Sequence, residues 1–246
     1  MWVDKNKVKI FKSNKKEVYN LIRKKHYANK WTASTNIYGI YYEDGKHSFF
    51  DGNKYKLIGV ALYGNPVGFR VVKSIAEELT DDDVLELKRL WIEDGYGKNI
   101  ESYCIAKTLK MLKKDSPQTK VVISYADPGV NHKGIIYRAS NWLYQGNDIG
   151  AADAYMYRYP NTDNWLSDRA IGEQLGTNGL KGVLDKIPDM EYKKKLRKHR
   201  YIYFLCSKKE KKRLMGELKH PLVHYHHHDK DEMTPKVEKK YWELNR

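Results

Sequence analysis

The chain has 246 residues, enough for one large domain or for one domain carrying an insertion, and it can bury a substantial core. Lysine and arginine total 46 against 31 acidic residues, a formal charge of +15, which favours a polyanionic partner or an anionic cofactor, nucleic acid first, unless it only reflects a lysine-rich proteome. Two cysteines, Cys104 and Cys206, are too few for a disulfide framework and read as buried reduced thiols; the missing apolar leader and the lack of any apolar run near the roughly 18 residues of a membrane span lead to the expectation of a soluble, cytoplasmic protein.

In chain order, Val8 to Phe11 alternates with lysines and predicts a first strand. Ser13 is the expected N-cap of a helix over Lys15 to Lys25, which turns Val18, Leu21 and Ile22 to the core. His26 and Tyr27 close that helix. A histidine is favoured there by the helix dipole alone and Tyr27 fits a core, so a functional role and a structural one are both open. Ile37 to Leu62 alternates as a β-hairpin around Asp51-Gly52 or as two strands of a meander, and Gly64-Asn65-Pro66 closes the second strand. Phe69 to Glu78 reads as an irregular turn or short helix. Asp81-Asp82-Asp83 reads as a solvated loop, because three consecutive carboxylates cannot converge on one ion from a strand or helix.

The stretch Val84 to Gly146 carries the strongest pattern. Leu85, Leu87, Leu90 and Ile92 predict a buried strand that ends in Asp94-Gly95-Tyr96-Gly97, where two glycines permit a tight turn. Asn99 is the expected N-cap, with Ser102 at N3, of a helix that starts at Ile100 and stops before Pro117. Lys107, Lys110, Lys113 and Lys114 complement its negative end. A strand feeding a glycine turn into a helix N-terminus can hold a pyrophosphate, and it can equally be a simple tight turn. Val121 to Ala126 is a β-branched strand ending in Asp127-Pro128-Gly129, and Ile135 to Leu143 predicts a second helix. Asp127 stands where a strand gives way to a helix, the place where ligands of open α/β sheets gather; it could accept a proton, bind a metal or cap the next helix. Tyr137, ten residues on, could share the same cleft.

Beyond Gly146, Asp153 to Tyr159 predicts another strand, and residues 161–200 read as a basic helical insertion before the last strand, Tyr201 to Cys206. The insertion ends in a cationic block, Lys193 to Arg200, with Tyr192, Tyr201 and Tyr203 beside it. Lys194, Lys195, Arg197, Lys198 and Arg200 are its candidate phosphate contacts; the alternative is a solvated helix face. Lys208 to Leu218 predicts a short helix. The His-rich tail, residues 219–246, holds His226, His227 and His228 before Asp229, a run expected to give adventitious metal affinity only. A terminal helix is expected over Val237 to Leu244.

The order Glu86-Leu-Lys-Arg89-Leu-Trp, Asn99-x-x-Ser102, Ser124-Tyr-Ala-Asp127-Pro and His132-x-Gly134-x-x-Tyr137-x-Ala139-x-x-Trp142-x-Tyr144-x-Gly146 resembles the phage Mom DNA-modification family, from about Val18 to Gly146. The resemblance implies a GNAT-like α/β fold over residues 1–218, a mixed central sheet flanked by helices. It implies an enzyme that adds a carbamoylmethyl group to the N6 amine of adenine in double-stranded DNA and so protects phage DNA from restriction. It further implies Asp127, Tyr137 and Tyr27 as catalytic residues and His26, Tyr27, Asp127 and Tyr137 as ligands of iron. Arg89, Ser102, Gly97 and Asn99 are implied for acetyl-CoA or another acyl-CoA. Two other functions compete: a GNAT acyltransferase acting on a protein, an RNA or a small amine, and a DNA-binding protein without catalysis. No membrane partner is expected, and the oligomeric state stays open.

Overall fold

A computed structural model of the chain describes residues 1–43, 54–68, 70–147, 149 and 154–223. The expected turn at Asp51-Gly52, the histidine run and the helix over Val237 to Leu244 lie outside the described residues. The elements are β1 (Val8–Lys12), α1 (Lys15–Lys25), β2 (Asn36–Tyr42), β3 (Lys56–Gly64), α2 (Arg70–Lys73), β4 (Val84–Ile92), α3 (Ile100–Asp115), β5 (Val121–Ala126), α4 (Ile135–Ala139), β6 (Leu143–Tyr144), β7 (Tyr155–Arg158), β8 (Leu166–Ser167), α5 (Asp168–Leu175), α6 (Leu180–Lys186), β9 (Glu191–Lys194), β10 (His199–Phe204) and α7 (Lys208–Gly216). They fall into two compact units. The first comprises residues 1–125, 134–145 and 200–223; the second, among the described residues, comprises 126–133 and 146–199.

The first unit is a mixed sheet of seven strands in the order β1-β2-β3-β4-β5-β10-β6, flanked by helices, the architecture the resemblance implies. β1 to β4 form an antiparallel meander, and β4 pairs with β5 in parallel. On one face α1 buries Val18 and Ile22 against Val60 and Leu62 of β3. On the other, Ile100 and Cys104 of α3 pack with Ile40, Ile58 and Ile92. Each such aliphatic side chain, moved fully out of water, contributes about 1.5–3 kcal/mol. The expected N-cap Ser13 gives way to Asn14, whose Oδ1 accepts from the Glu17 amide at 3.2 Å; the Ser13 hydroxyl donates to the Glu17 carboxylate instead.

Asp81–Asp83 is a 3₁₀ turn rather than a solvated loop, and Asp83 is nearly buried. Its Oδ2 accepts from the Thr80 amide at 2.8 Å and hydroxyl at 2.7 Å, and its Oδ1 meets Lys120 Nζ at 3.0 Å. Burial alone would raise the Asp83 pKa, but these hydrogen bonds and the Lys120 ammonium outweigh it and hold the carboxyl below its usual value. A carboxyl lowered by folding stabilises the folded state above its unfolded pKa, and that stabilisation fades as pH falls through the folded one. Asp83→Asn is therefore expected to cost about 1–3 kcal/mol at neutral pH and to flatten the acid limb of stability. Denaturant titrations from pH 7 down to 3 on both proteins check this; parallel curves would remove Asp83 from the account.

The helix expected over Ile135 to Leu143 is only five residues long. Asn141 takes a left-handed conformation (φ 63°), the Trp142 amide closes back on the Tyr137 carbonyl, and Leu143 and Tyr144 pair with Ile202 and Tyr201 as a strand.

The second unit has a core of its own. β7 lies between β8 and β9 in an antiparallel sheet of three strands, and Tyr157, Ile171, Val183, Leu184, Met190 and Tyr192 pack together. The Ser167 hydroxyl caps α5, and Asp168 ties the sheet to that helix by accepting from the Tyr157 hydroxyl at 2.8 Å and the Tyr155 amide at 3.0 Å. The expected helical insertion thus contains two helices, α5 and α6, but also β8 and β9, which pair with the expected strand β7, and the cationic block begins in a strand rather than on a helix face. No helix among the described residues is long and apolar enough to cross a membrane.

Candidate active site

The parallel ladder between β4 and β5 runs over three residue pairs, Val84–Val121, Leu85–Val122 and Glu86–Ile123. Beyond it a side chain replaces the backbone. Ser124 Oγ lies 2.9 Å from the Leu87 carbonyl oxygen and 2.8 Å from the Tyr137 hydroxyl, both contacts buried. A hydroxyl has one proton and a carbonyl can only accept, so Ser124 donates to Leu87 and the Tyr137 phenol donates to Ser124.

Tyr137 is 8% exposed and is placed by α4 and by rings around it: Tyr201 at 5.0 Å, Trp142 at 5.3 Å. Tyr144 extends this stack from the far side of Tyr201 at 5.2 Å, and Tyr203 meets Trp142 at 5.7 Å. Gly134 makes the packing possible. It caps α4 in a left-handed conformation (φ 67°), and a Cβ there would fall 2.3 Å from the Tyr201 hydroxyl oxygen and 2.4 Å from its ring. Burial pushes the Tyr137 phenol up to about 12, with the nearby Tyr27 and Glu86 adding. At neutral pH the group is a protonated phenol, suited to donating a proton or a hydrogen bond and unsuited to acting as a base.

His26 ends α1 as its C-cap and is buried, with Nδ1 accepting from the Ala28 amide at 3.0 Å. Its ring stacks on Tyr27 at 4.4 Å, and half-exposed Tyr27 lies near enough to Tyr137 to act on it electrostatically. His26, Tyr27 and Tyr137 therefore belong to one region of the first unit. Asp127 belongs to the second. It caps the 3₁₀ turn Pro128–Val130, one oxygen accepting from the Gly129 amide at 3.0 Å and the other 3.2 Å from Lys198 Nζ.

Among the described residues no group of three or more His, Cys, Asp or Glu side chains suited to a metal exists; Tyr137 is bonded to Ser124, and both Asp127 oxygens are engaged within its own unit.

The residues implied for an acyl-CoA separate into two places. Arg89 lies opposite Leu62 in the β3–β4 ladder, and directly opposed residues share a face. Leu62 packs under α1, so Arg89 emerges on the α1 face while Ser102 sits on α3, which covers the other. The Arg89 Nη1 donates to the Lys88 carbonyl at 2.6 Å, and its buried Nε has no hydrogen-bond partner. Asn99 precedes α3 in a left-handed conformation (φ 67°) and makes no side-chain cap, contrary to expectation. The Ser102 hydroxyl turns back to the Asn99 carbonyl at 3.1 Å. The first turn of this 16-residue helix thus keeps amides without a side-chain acceptor, which fits an anionic group. Gly97 has a structural reason of its own: a Cβ would fall 2.7 Å from Val3 Cα, because Trp2 bridges to Lys98.

Of the cationic block, Lys194, Lys195 and Lys198 are exposed and Arg197 is half-buried. Arg200 must be withdrawn from it. Strand alternation turns Arg200 inward to full burial, where it donates to Ser74 Oγ at 2.7 Å and to the Ser74 carbonyl at 3.4 Å and meets the Tyr125 phenol. Burial lowers its pKa, with Tyr125 opposing, and no phosphate can reach the guanidinium. Sequence reasoning missed the structural work of Ser124, Tyr201 and Lys198. Ser124 carried a signal: it is a small polar residue following the apolar run Val121-Val122-Ile123.

A curated relative, "Methylcarbamoylase mom" of Escherichia phage Mu, is 26% identical over 200 residues, covering 80% of this chain and 75% of that protein. Similar solved structures include a Bacillus subtilis acetyltransferase in complex with CoA (TM-score 0.41, 10% identity, 81% of this chain and 99% of that one). An N-acetyltransferase from Staphylococcus aureus is another (TM-score 0.40, 10% identity, 80% and 97%). The Mom protein family profile matches residues 7–226, nearly the whole chain, and the chain belongs to the Mom protein family.

Proposed function

We propose that this chain is a DNA-modifying transferase that places a carbamoylmethyl group on the N6 amine of adenine in double-stranded DNA, and that it protects phage DNA from restriction. The observation that carries the reading is membership of the Mom family across residues 7–226. The site supplies chemistry that suits it. The N6 lone pair is delocalised into the purine ring, so the base must leave the stack, the amine must be oriented and its proton must find an acceptor. The Asp127 carboxylate, held by the Gly129 amide and Lys198, is that acceptor. Tyr137, a protonated phenol, turns its one proton from Ser124 to the group that gains charge, as a hydrogen bond or a full transfer. Lys194, Lys195, Arg197 and Lys198 hold phosphates, and a phosphate arriving at Lys198 competes with Asp127 for its ammonium.

An acyl-CoA would be held through its phosphates at the start of α3, against Gly97, Asn99 and Ser102. The uncapped first turn is the feature that favours it. Arg89 serves the other face of the sheet, and no step is drawn through iron.

The test is mass spectrometry of nucleosides from plasmid DNA of cells producing the intact chain or Asp127→Ala. A heavier deoxyadenosine is expected only with the intact chain, with the mass increment of a carbamoylmethyl group. Unmodified adenine in both samples, with the protein folded and abundant, would overturn the reading; the same product from both would remove Asp127 from it.

A further inference from the structure

The seven-stranded sheet ends at β1, and between this edge strand and α3 lies a cavity of about 610 Å³. Five lysines line it, Lys5 and Lys9 on one wall and Lys107, Lys110 and Lys114 on the other, and no acidic residue does. Two other cavities on the protein mix their charges. One holds Asp168 and Glu173 with Arg169, and the other holds Glu210 beside Arg213, which is paired to it at 3.8 Å.

The helical wall is a single stripe. Tyr103, Lys107, Lys110 and Lys114 follow each other at steps of four, three and four residues, which keeps them on one side of a helix. The helix dipole accounts for Lys114 in the last turn, but, against the expectation from the sequence, its effect fades within one turn and gives no reason for Lys107 and Lys110. Tyr103 joins the walls. Its hydroxyl donates to the Lys5 carbonyl at 3.3 Å, and its ring carries Lys107 Nζ at 5.6 Å and Lys5 Nζ at 5.9 Å. A concave run of like charges without carboxylates repels itself and focuses a positive potential on whatever anion enters it.

We infer that this groove docks the phosphate backbone of duplex DNA to one side of the target adenine, an inference that rests on the function proposed above. The three α3 lysines span about 10 Å of helix, which suits a row of phosphates better than a single one. β1 stands three strands from β4, or roughly 14 Å from where β4 and β5 part. That distance corresponds to roughly four base pairs of duplex. The groove therefore grips DNA beside the reacting base and reads no sequence.

The test compares the full-length protein carrying Lys107→Gln, Lys110→Gln and Lys114→Gln with a control carrying Lys208→Gln, Lys209→Gln and Lys212→Gln, which loses the same charge from α7. Binding to a short fluorescent duplex is measured against salt concentration. The groove variant is expected to bind at least tenfold more weakly at low salt, and its slope of log affinity against log salt to fall by about 2–3. The control is expected to stay within twofold of the parent. Equal weakening of both variants would overturn the proposal. Should the groove variant melt at a lower temperature than the parent, Lys5→Gln with Lys9→Gln examines the other wall, with the same weakening expected and unchanged binding overturning it. A parent that binds duplex through the groove but leaves adenine unmodified would sink the modification reading alone; a groove variant that binds as tightly as the parent would sink the groove alone.

Discussion

Tyr137→Phe is expected to lower DNA modification by about 10²- to 10⁴-fold, the range that removal of a general acid or a preorganised hydrogen-bond donor produces. The substitution removes one oxygen from a ring that stays packed between Tyr201 and Trp142. Ser124 keeps its hydrogen bond to the Leu87 carbonyl, so stability should fall by only about 1 kcal/mol. The pH profile gives a second readout. Since burial pushes this phenol to about 12, it does not titrate between pH 6 and 9, and any activity limb in that range belongs to another group and should keep its position in the residual activity of the variant. Single-turnover assays on duplex DNA, with nucleoside mass spectrometry and thermal melts alongside, check both points. Undiminished turnover in a folded Tyr137→Phe protein would reduce the residue to a packing element.

The largest stability effect is expected at Gly134. Alanine there must hold a left-handed conformation, at about 1 kcal/mol, and must also displace the Tyr201 ring, from which its Cβ would be 2.4 Å away. That ring is fully buried between Tyr137 and Tyr144, so the displacement is shared by the whole stack. A total cost of about 2–4 kcal/mol follows, with activity lost alongside as Tyr137 shifts. Gly176 separates the two contributions. It has a similar φ of +64° with nothing within 4 Å of a Cβ, so Gly176→Ala should cost only the conformational part, about 1 kcal/mol. Chemical denaturation of both variants decides; equal costs would show that Tyr201 yields freely.

Where apolar periodicity met a hard stop, the sequence was a good guide. The strand over Val121 to Ala126 and the helix starting at Ile100 stand at the expected residues, because Asp-Pro-Gly and the glycine turn leave the backbone few alternatives. α4 was overextended because Trp142 and Leu143 continue its apolar pattern, and nothing local shows that Asn141 turns left-handed so that Leu143 can pair with Ile202. Arg200 closes a cationic run in the sequence, and only the strand's alternation, with a long-range partner at Ser74, reveals it as interior. The pairing of Ser124 with Tyr137 is likewise a contact across 13 residues, decided by where a parallel ladder stops. The family motif marked Asp127 and Tyr137, but their immediate partners come from packing that spacing alone does not encode.

The longer segment of the second unit, residues 146–199, is inserted in the chain at a point that the first unit closes by itself. Tyr144 pairs with Tyr201, and the Gln145 amide donates to the Arg200 carbonyl at 3.0 Å, so the chain leaves and returns across a single rung of β6 and β10. The entropy of closing such an excursion grows only logarithmically with its length, each doubling adding about 0.6 kcal/mol. Replacing a tight hairpin of about four residues by an excursion of some fifty is nearly four doublings, or about 2 kcal/mol, which a module with a core of its own can offset. Lineages could lengthen, shorten or exchange the excursion without rebuilding the stack around Tyr137, which makes the rung a natural site for diversification and for grafting.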